Sequence, residues 1–452
     1  MGQIGGQIYR DIPAVLLLYY MTNTLGVPGV MAGIAILIPK TWVVFCDPLV
    51  GVLSDRSGTR WGRRHPFMFI GAILCPLSLV MLFGTPSFGS PVIAAIYVSC
   101  IFLLGSTAFS SYSVPYLSMA SEMTNKYHER TRIMAYRFFF TAVGLTIGAG
   151  LSQPLVSWLG GGASGYFGMA VVVAGICFVS MMGCVLTTRK IQLHETGSSS
   201  LSILKQVSVA ARNRPFLIIA IATLLFQIGA ATGFAVLAFL FHYVVENDTI
   251  LLPFIGILSV GILLSVPFWN AISRRMGKMP TLVVSVIGWL VITATWPWAS
   301  YGDTDPLFRI VLLGAISERD MLVLLRGLLI GLTQPGFQLM GLSMLADTIE
   351  YDRLKSGHSR AGLYSGLWNA LEKLAFALGP FLSGVLLSVL GFVESTVGPL
   401  EQTEQAISGI FVALFWVPFL TALLGLCLLP GYNLSSRILS MTERSSGAPR
   451  RM

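Results

Sequence analysis

The sequence predicts an all-α polytopic membrane protein, with twelve transmembrane helices arranged as two six-helix bundles. Three observations carry that expectation. Of the 452 residues, 54% are hydrophobic and only 11% charged, with a mean hydropathy of +0.76; a soluble domain carries about 25% charged residues. The apolar residues fall in runs long enough to cross a bilayer, which takes about 20 residues of helix. The lysines and arginines gather in short turns on alternate connections between those runs.

The apolar runs lie near 7–25, 28–54, 66–85, 92–121, 131–158, 164–188, 214–244, 250–273, 279–300, 320–349, 361–391 and 404–431. Between the sixth and seventh lies the longest polar connection, with Arg189, Lys190, His194, Glu195, a Gly-Ser-Ser-Ser run, Lys205 and Arg212. That composition marks a linker. The expected units are therefore an N-terminal bundle over 1–188, a cytoplasmic linker over 189–213, a C-terminal bundle over 214–432 and a cytoplasmic tail over 433–452. The stretch 301–319 is long and apolar in its middle, from Ile310 to Ala315, and reads as an outer loop with an interfacial segment. The start lacks a basic region and a small-residue cleavage site, so no signal peptide is expected.

Even-numbered connections hold Arg56, Arg60, Arg63 and Arg64, then Lys126 and Arg130, the linker cations, Arg274, Arg275 and Lys278, and Arg353, Lys355 and Arg360. Odd-numbered connections after the first hold only Arg309 and Arg319, and collect Glu246, Asp248, Asp303, Asp305, Glu394, Glu401 and Glu404. This asymmetry places both termini in the cytoplasm, with the chain in the plasma (inner) membrane. It also explains the net charge of +9 without nucleic-acid binding. The turn Gly62-Arg63-Arg64 after span two is echoed after span eight by Arg274-Arg275-Met276-Gly277-Lys278. Parallel six-span repeats with a midplane site between them are the architecture of major facilitator transporters.

A charge inside a span costs about 2.5–3.5 kcal/mol on insertion scales and marks a functional site by default. Asp11, Lys40, Asp47, Arg137, Arg326, Asp347, Glu350, Glu372 and Lys373 are such residues. Lys40 and Asp47 are two helical turns apart, about 10 Å along one face. They either line a cavity and share a proton or ligand, or form an ion pair, or leave the lysine to snorkel. Arg137 lies in Ala135-Tyr136-Arg137-Phe138-Phe139; its planar fork suits a polyol or an anion, and a membrane-end anchor is the plain alternative. Asn369 and Lys373 are i, i+4 and face one way, near Tyr364 and Trp368. A ring beside hydrogen-bonding groups is how a sugar is held, although aromatic rings alone usually serve packing. Asp347, Glu350 and Asp55 are expected to pair with basic turns, Arg63 and Arg64 among them, as a cytoplasmic gate. The six cysteines lie in apolar segments without metal spacing and read as small buried hydrophobes. There is no nucleophile–base–acid set, HExxH or P-loop, so neither an enzyme nor a bound cofactor is expected.

Residues 47–64 read D-P-x-x-G-x-x-x-D-R-x-x-x-x-W-G-R-R. Val114-Pro115-Tyr116-Leu117-Ser118, Glu129-Arg130, Tyr136-Arg137-Phe138-Phe139, Met344-Leu345-Ala346-Asp347-Thr348-Ile349-Glu350-Tyr351 and Gly362-Leu363-Tyr364-Ser365 follow in order, the last leading to Lys373. Together these resemble the glycoside–pentoside–hexuronide:cation symporters, the melibiose permease group of the major facilitator superfamily, over essentially the whole chain. The resemblance implies alternating-access transport of a sugar-like solute, often driven by Na+ or H+. It matches Asp47 to one of two span-two cation carboxylates, and the other falls on Val43. The span-four acid is Ser113 here, a span-one sugar-binding acid falls on Gln7, a span-four stacking tryptophan on Leu117, and a span-ten tryptophan position on Gln338. Lys40, Arg137 and Lys373 match basic positions that the family retains.

Two of three family acids are thus absent, and a sodium ion wants several oxygens and compensating negative charge. The expected coupling ion is H+ rather than Na+, taken up at Asp47. The remaining site suits a hexuronate, another acidic sugar or an amphiphilic anion. The expected function is secondary active transport of a sugar or glycoside-like solute by proton-coupled symport; a lipid-like or amphiphilic-anion carrier and an uncoupled uniporter are the alternatives. The expected substrate-binding residues are Gln7, Lys40, Arg137, Gln338, Tyr364, Asn369 and Lys373, with Asp47 and Ser113 for cation coupling. The expected partners are a small solute and the lipid bilayer.

Overall fold

The computed structural model describes residues 2–57, 59, 61–122, 136–137, 139–189, 213–310, 314–356 and 360–434. Twelve helical stretches run through these residues. Helix α1 spans Gly2–Ile12, passes through a π turn at Pro13–Leu17 and ends in Leu18–Asn23. Pro13 has no N–H to give the preceding turn, and a π turn absorbs the missing bond. Helices α2 (Gly29–Arg56), α3 (His65–Phe83) and α4 (Pro91–Glu122) follow. Then come α5 (Phe139–Trp158), which holds a π turn at Thr146–Gly150, and α6 (Gly162–Thr188). Helix α7 runs from Arg214–Ala235 through Leu237–Leu240 to Phe241–Val245. Helices α8 (Leu251–Met276), α9 (Lys278–Thr293), α10 (Glu318–Ser356) and α11 (Ala361–Val389) come next. Helix α12 comprises Glu404–Phe411, a π turn at Val412–Trp416 and Val417–Leu428.

Eleven of these are long and apolar enough to cross a membrane. The remaining one, α1, is divided by its π turn and carries Arg10 and Asp11. The sequence places its start near residue 7, but the helix begins at Gly2, which adds Gln3 to its polar face. Large apolar side chains such as Leu104, Val179, Leu264, Val291 and Leu424 point away from the helices, as spans facing hydrocarbon require. Only Gly277 separates α8 from α9, and its φ of +87° is one that L side chains rarely adopt.

The stretch 301–319 carries two paired strands. Strand β1 (Pro306–Ile310) pairs antiparallel with β2 (Gly314–Ser317), so a short apolar stretch satisfies its backbone as a hairpin. A capping box then starts α10. The Ser317 N–H donates to Asp320 Oδ2 at 3.0 Å, and the Asp320 N–H donates back to Ser317 Oγ at 3.2 Å. Residues 123–135, 190–212 and 435–452 lie outside the described residues, and with them the start of the expected fifth span, Lys126, Glu129 and Arg130, most of the linker and most of the tail.

Helices α1–α6 pack mainly with one another, as do α7–α12; the halves meet at α2 with α11, α5 with α8, and α1 with α7. A set of bonds joins the halves at the end carrying the 23–29 and 389–404 connections. Tyr243 Oη donates to Asn23 Oδ1 at 2.6 Å, the Ser395 N–H to the Thr22 carbonyl at 2.9 Å, the Gly29 N–H to Glu394 Oε1 at 3.3 Å, and the Val30 N–H to Ser388 Oγ at 3.1 Å. Here α2 and α11 touch backbone to backbone. A Cβ added to Gly29 would lie 2.6 Å from the Gly384 carbonyl oxygen.

Candidate solute and coupling site

Beyond that closure, toward the chain termini, the halves part around a cavity of about 250 Å³. Its wall follows from helical spacing. Helix α1 contributes Gln3 and Arg10, seven residues apart; α2 contributes Lys40, Val43 and Asp47; α4 contributes Phe109, Ser113 and Leu117; α11 contributes Asn369, Glu372, Lys373 and Phe376. The sets of α1, α2 and α4 repeat at three, four or seven residues, which keeps each on one helical face, and α11 adds two neighbouring rows, Asn369 with Lys373 and Glu372 with Phe376. Arg137 completes the wall. Pro39 and Pro48 bracket the polar stretch of α2. Each withholds one backbone N–H, so the helix is least regular where it carries its charges.

At the centre is Asp47. Ser110 Oγ donates to its Oδ1 at 2.5 Å, and Lys373 of α11 forms an ion pair with its Oδ2. The carboxylate is thus held by a hydroxyl of its own half and an ammonium of the other. Lys40, two turns away on the same helix, does not pair with it; its Nζ lies 5.4 Å from the centre of the Phe102 ring. Arg137 Nε donates to Gln3 Oε1 at 3.1 Å. On the apolar side, the rings of Tyr9 and Phe109 stack with centroids 5.1 Å apart.

Six residues expected from sequence therefore line one cavity: Lys40, Asp47, Ser113, Arg137, Asn369 and Lys373. Ser113 is on the wall, but the hydroxyl bonded to Asp47 belongs to Ser110, three residues earlier. Gln7 is buried behind the wall and donates through Nε2 to Asp11 Oδ2 at 2.7 Å, so it orients an acid and does not line the cavity. Gln338 is exposed on α10 and does not line the cavity. Tyr364 is fully buried in the C-terminal half; Asn213 Nδ2 donates to its hydroxyl at 3.2 Å and its ring meets Phe216 edge-on at 4.8 Å. A ring enclosed in that way cannot stack on a sugar.

Of the residues expected to form a gate, Asp347 pairs with a cation of the basic turn 274–278, and Glu350, Arg63 and Arg64 have partners close by in the chain. Lys278 Nζ pairs with Asp347 Oδ2 at 2.6 Å, and Arg353 with Glu350 three residues before it. Arg64 is buried and donates from Nη1 to Ser54 Oγ at 2.8 Å; the Arg63 carbonyl accepts from Ser57 Oγ, also at 2.8 Å. The Asp55 side chain lies outside the described residues. Arg326, another charge within a span, donates to Thr295 Oγ1 at 3.0 Å and to the Trp298 carbonyl at 3.1 Å, far from the cavity wall.

Sequence reasoning did not single out Gln3, Arg10, Ser110 or Phe109 for the site. The polar residues 3, 7, 10 and 11 recur at helical spacing at the start of the chain, and that pattern is the signal for the first two. Ser110 has none, because serines at 106, 110, 111 and 113 offer the same hydroxyl.

Residues 1–436 match the model of a family described as MFS/sugar transport protein. Among curated relatives, the isoprimeverose transporter of Lactiplantibacillus pentosus is 26% identical over 417 residues, covering 90% of this chain and 82% of that one. A putative sulfoquinovose importer of Escherichia coli (strain K12) is 26% identical over 432 residues, covering 94% and 87%. The glucuronide carrier protein homolog of the same strain is 25% identical over 448 residues, covering 97% and 92%. Among solved structures, the nucleoside transporter NupG superposes with a TM-score of 0.64 at 13% identity, covering 96% of this chain and 98% of that one. A bacterial homolog of the human lysosomal transporter Spinster, in an inward-facing and unoccupied conformation, gives 0.64 at 13%, covering 98% and 96%.

Proposed function

The chain belongs to the MFS/sugar transport protein family, and from that premise we propose that it moves a sugar or glycoside-like solute by alternating access, coupled to protons at Asp47. One observation carries the coupling half of this reading. Asp47 faces the solute cavity and is bonded at once to Ser110 of its own half and Lys373 of the other. A proton on that carboxylate removes its charge, releases the Lys373 ammonium and loosens one tie between α2 and α11. Proton binding is thereby linked to movement of the halves.

The solute half rests on the wall. Phe109, stacked on Tyr9, and Phe376 offer apolar faces; Gln3, Asn369 and Arg137 offer hydrogen bonds. This is the mixture a pyranose ring requires. Four cations (Arg10, Lys40, Arg137 and Lys373) line the cavity against two acids (Asp47 and Glu372), a surplus that favours an acidic sugar. The curated relatives named for sulfoquinovose and glucuronide fit that preference. The basic turns support the plasma membrane with both termini cytoplasmic, which turns the closed end outward and the cavity inward.

The test is solute counterflow in proteoliposomes with neutral glycosides, hexuronates and lysophospholipids, each with and without an imposed pH gradient. Counterflow of a sugar, with accumulation only under the gradient, is the expected result. Asp47→Asn keeps counterflow and loses accumulation. Undiminished accumulation in that variant removes the coupling role, and movement of lysophospholipid alone overturns the solute class.

A further inference from the structure

Two adjacent residues of α11 reach two different helices of the opposite half. Lys373 pairs with Asp47 of α2. Glu372 faces Arg10 of α1, with Nη1 and Oε1 3.8 Å apart. Successive helical residues point about 100° apart, so one turn of α11 addresses both helices. The charges are reversed between the two bridges: the C-terminal half gives a cation to α2 and an acid to α1.

The second bridge is built to be opened. At 3.8 Å it is longer than a hydrogen bond, and both side chains are open to the cavity, Arg10 42% exposed and Glu372 37%. Among the described residues Glu372 has no other charged or hydrogen-bonded partner. Arg10 is otherwise well placed: Nε donates to Asp11 Oδ1 at 3.4 Å, and the guanidinium lies 5.2 Å from the centre of the Phe376 ring, one turn beyond Glu372. A solute hydroxyl or acid that takes the fork of Arg10 displaces only Glu372.

We propose that Arg10–Glu372 is a solute-operated bridge, the counterpart of the proton-operated bridge Asp47–Lys373. The proton opens one tie between the halves and the solute opens the other. Each tie left closed slows the parting of the halves, so a proton alone, which leaves Arg10–Glu372 in place, crosses slowly, and proton and solute together cross fastest. The proposal rests on the proton-coupled reading above, and it makes Glu372 a positioning residue and Arg10 a solute ligand.

Proton entry into proteoliposomes, followed with a pH-sensitive dye, tests both. Wild-type protein takes up protons slowly without solute and much faster when solute is present. Glu372→Gln removes the second tie for good, so protons enter without solute, about tenfold faster than in wild type if the tie is worth about 1.4 kcal/mol. The charge-swapped pair Arg10→Glu with Glu372→Arg rebuilds the tie and suppresses that leak, yet binds solute poorly because α1 no longer presents a cation. Size-exclusion elution of Glu372→Gln matching wild type controls for folding. Coupled uptake in Glu372→Gln with solute-independent proton entry no faster than in wild type overturns the two-bridge proposal and leaves the transport reading intact. Solute uptake by wild type without proton movement overturns the coupling reading, and the proposal with it.

Discussion

The ammonium of Lys373 in α11 pairs with the carboxylate of Asp47 in α2, across the boundary between the two halves. Neither charge is at home in a membrane without the other. Removing one partner of a buried pair strands its counter-charge, at a cost of about 3–5 kcal/mol when fully buried; contact with the cavity lowers that figure here. Lys373→Ala is expected to reduce the thermal unfolding temperature in detergent. Adding Asp47→Asn to it is expected to recover at least half of the loss. Additive losses in the double variant would show that the two side chains do not depend on each other.

Ser110 is the other partner of Asp47, at 2.5 Å. A hydrogen bond to a charged acceptor contributes about 1.5–3 kcal/mol. Ser110→Ala therefore alters gradient-driven accumulation several-fold, with counterflow much less affected. Ser113→Ala, at a wall position with no bond to the carboxylate, changes accumulation little. Equal effects of the two substitutions would return the coupling role to Ser113.

The charged residues were legible in the sequence because the membrane makes them rare. Lys40, Asp47, Arg137 and Lys373 stand out in apolar runs, and all four reach the same cavity. Their pairing was not legible. Lys40 and Asp47 share a helical face, but the ammonium that reaches Asp47 arrives from residue 373, brought there by the packing of α2 on α11. Tyr364 looked like a sugar platform because it lies near Asn369 in the chain. Five residues of helix turn it to the opposite side, where Phe216 and Asn213 enclose it. Among the described residues most helix ends were legible to within a few residues; α9 ends at Thr293 where the apolar run continues to 300, α10 continues to Ser356 beyond 349, and at the start of the chain three glycines and Gln3 weaken the hydropathy of residues 2–6 although the helix continues through them. The strand pair Pro306–Ile310 and Gly314–Ser317 was not legible, because short apolar runs suit a strand as well as an irregular loop.

Tyr364 supplies a control. Its hydroxyl accepts from Asn213 inside the C-terminal half, and Tyr364→Phe leaves that amide short of a partner at a cost of about 1–3 kcal/mol. The unfolding temperature falls, while the solute KM stays within twofold of wild type. A large rise in KM at unchanged stability would return Tyr364 to the binding site.

Closure at the far end depends on Gly29 and Gly384, where α2 and α11 meet through their backbones. No side chain fits between them, so Gly384→Leu wedges the ends apart. In a background without the six native cysteines, a single cysteine at Leu25 is expected to react faster with an impermeant maleimide in Gly384→Leu than in the parent. Counterflow is expected to fall sharply, because a carrier that cannot close one end cannot open the other. An unchanged labelling rate would mean that the helices separate without strain.

Lys40 and Arg137 differ from the other cations of the cavity in having no carboxylate within ion-pair distance among the described residues; Lys40 lies over the Phe102 ring with Asp11 as a more distant acid, and Arg137 donates to the Gln3 amide oxygen. A partly buried cation without a close counter-charge is costly, and an anionic solute would offset that cost only while it is bound. The consequence is a charge preference that can be read with matched solutes, a hexuronate and the parent neutral glycoside. Arg137→Gln and Lys40→Gln each remove one attraction for the anion and leave the apolar platform of Phe109 and Phe376 untouched. Each is expected to raise the KM for the hexuronate about tenfold, the equivalent of one charge-assisted hydrogen bond near 1.4 kcal/mol, with a smaller change for the neutral glycoside. A parallel loss for both solutes would mean that these cations hold the fold of the wall and do not read the charge of the cargo.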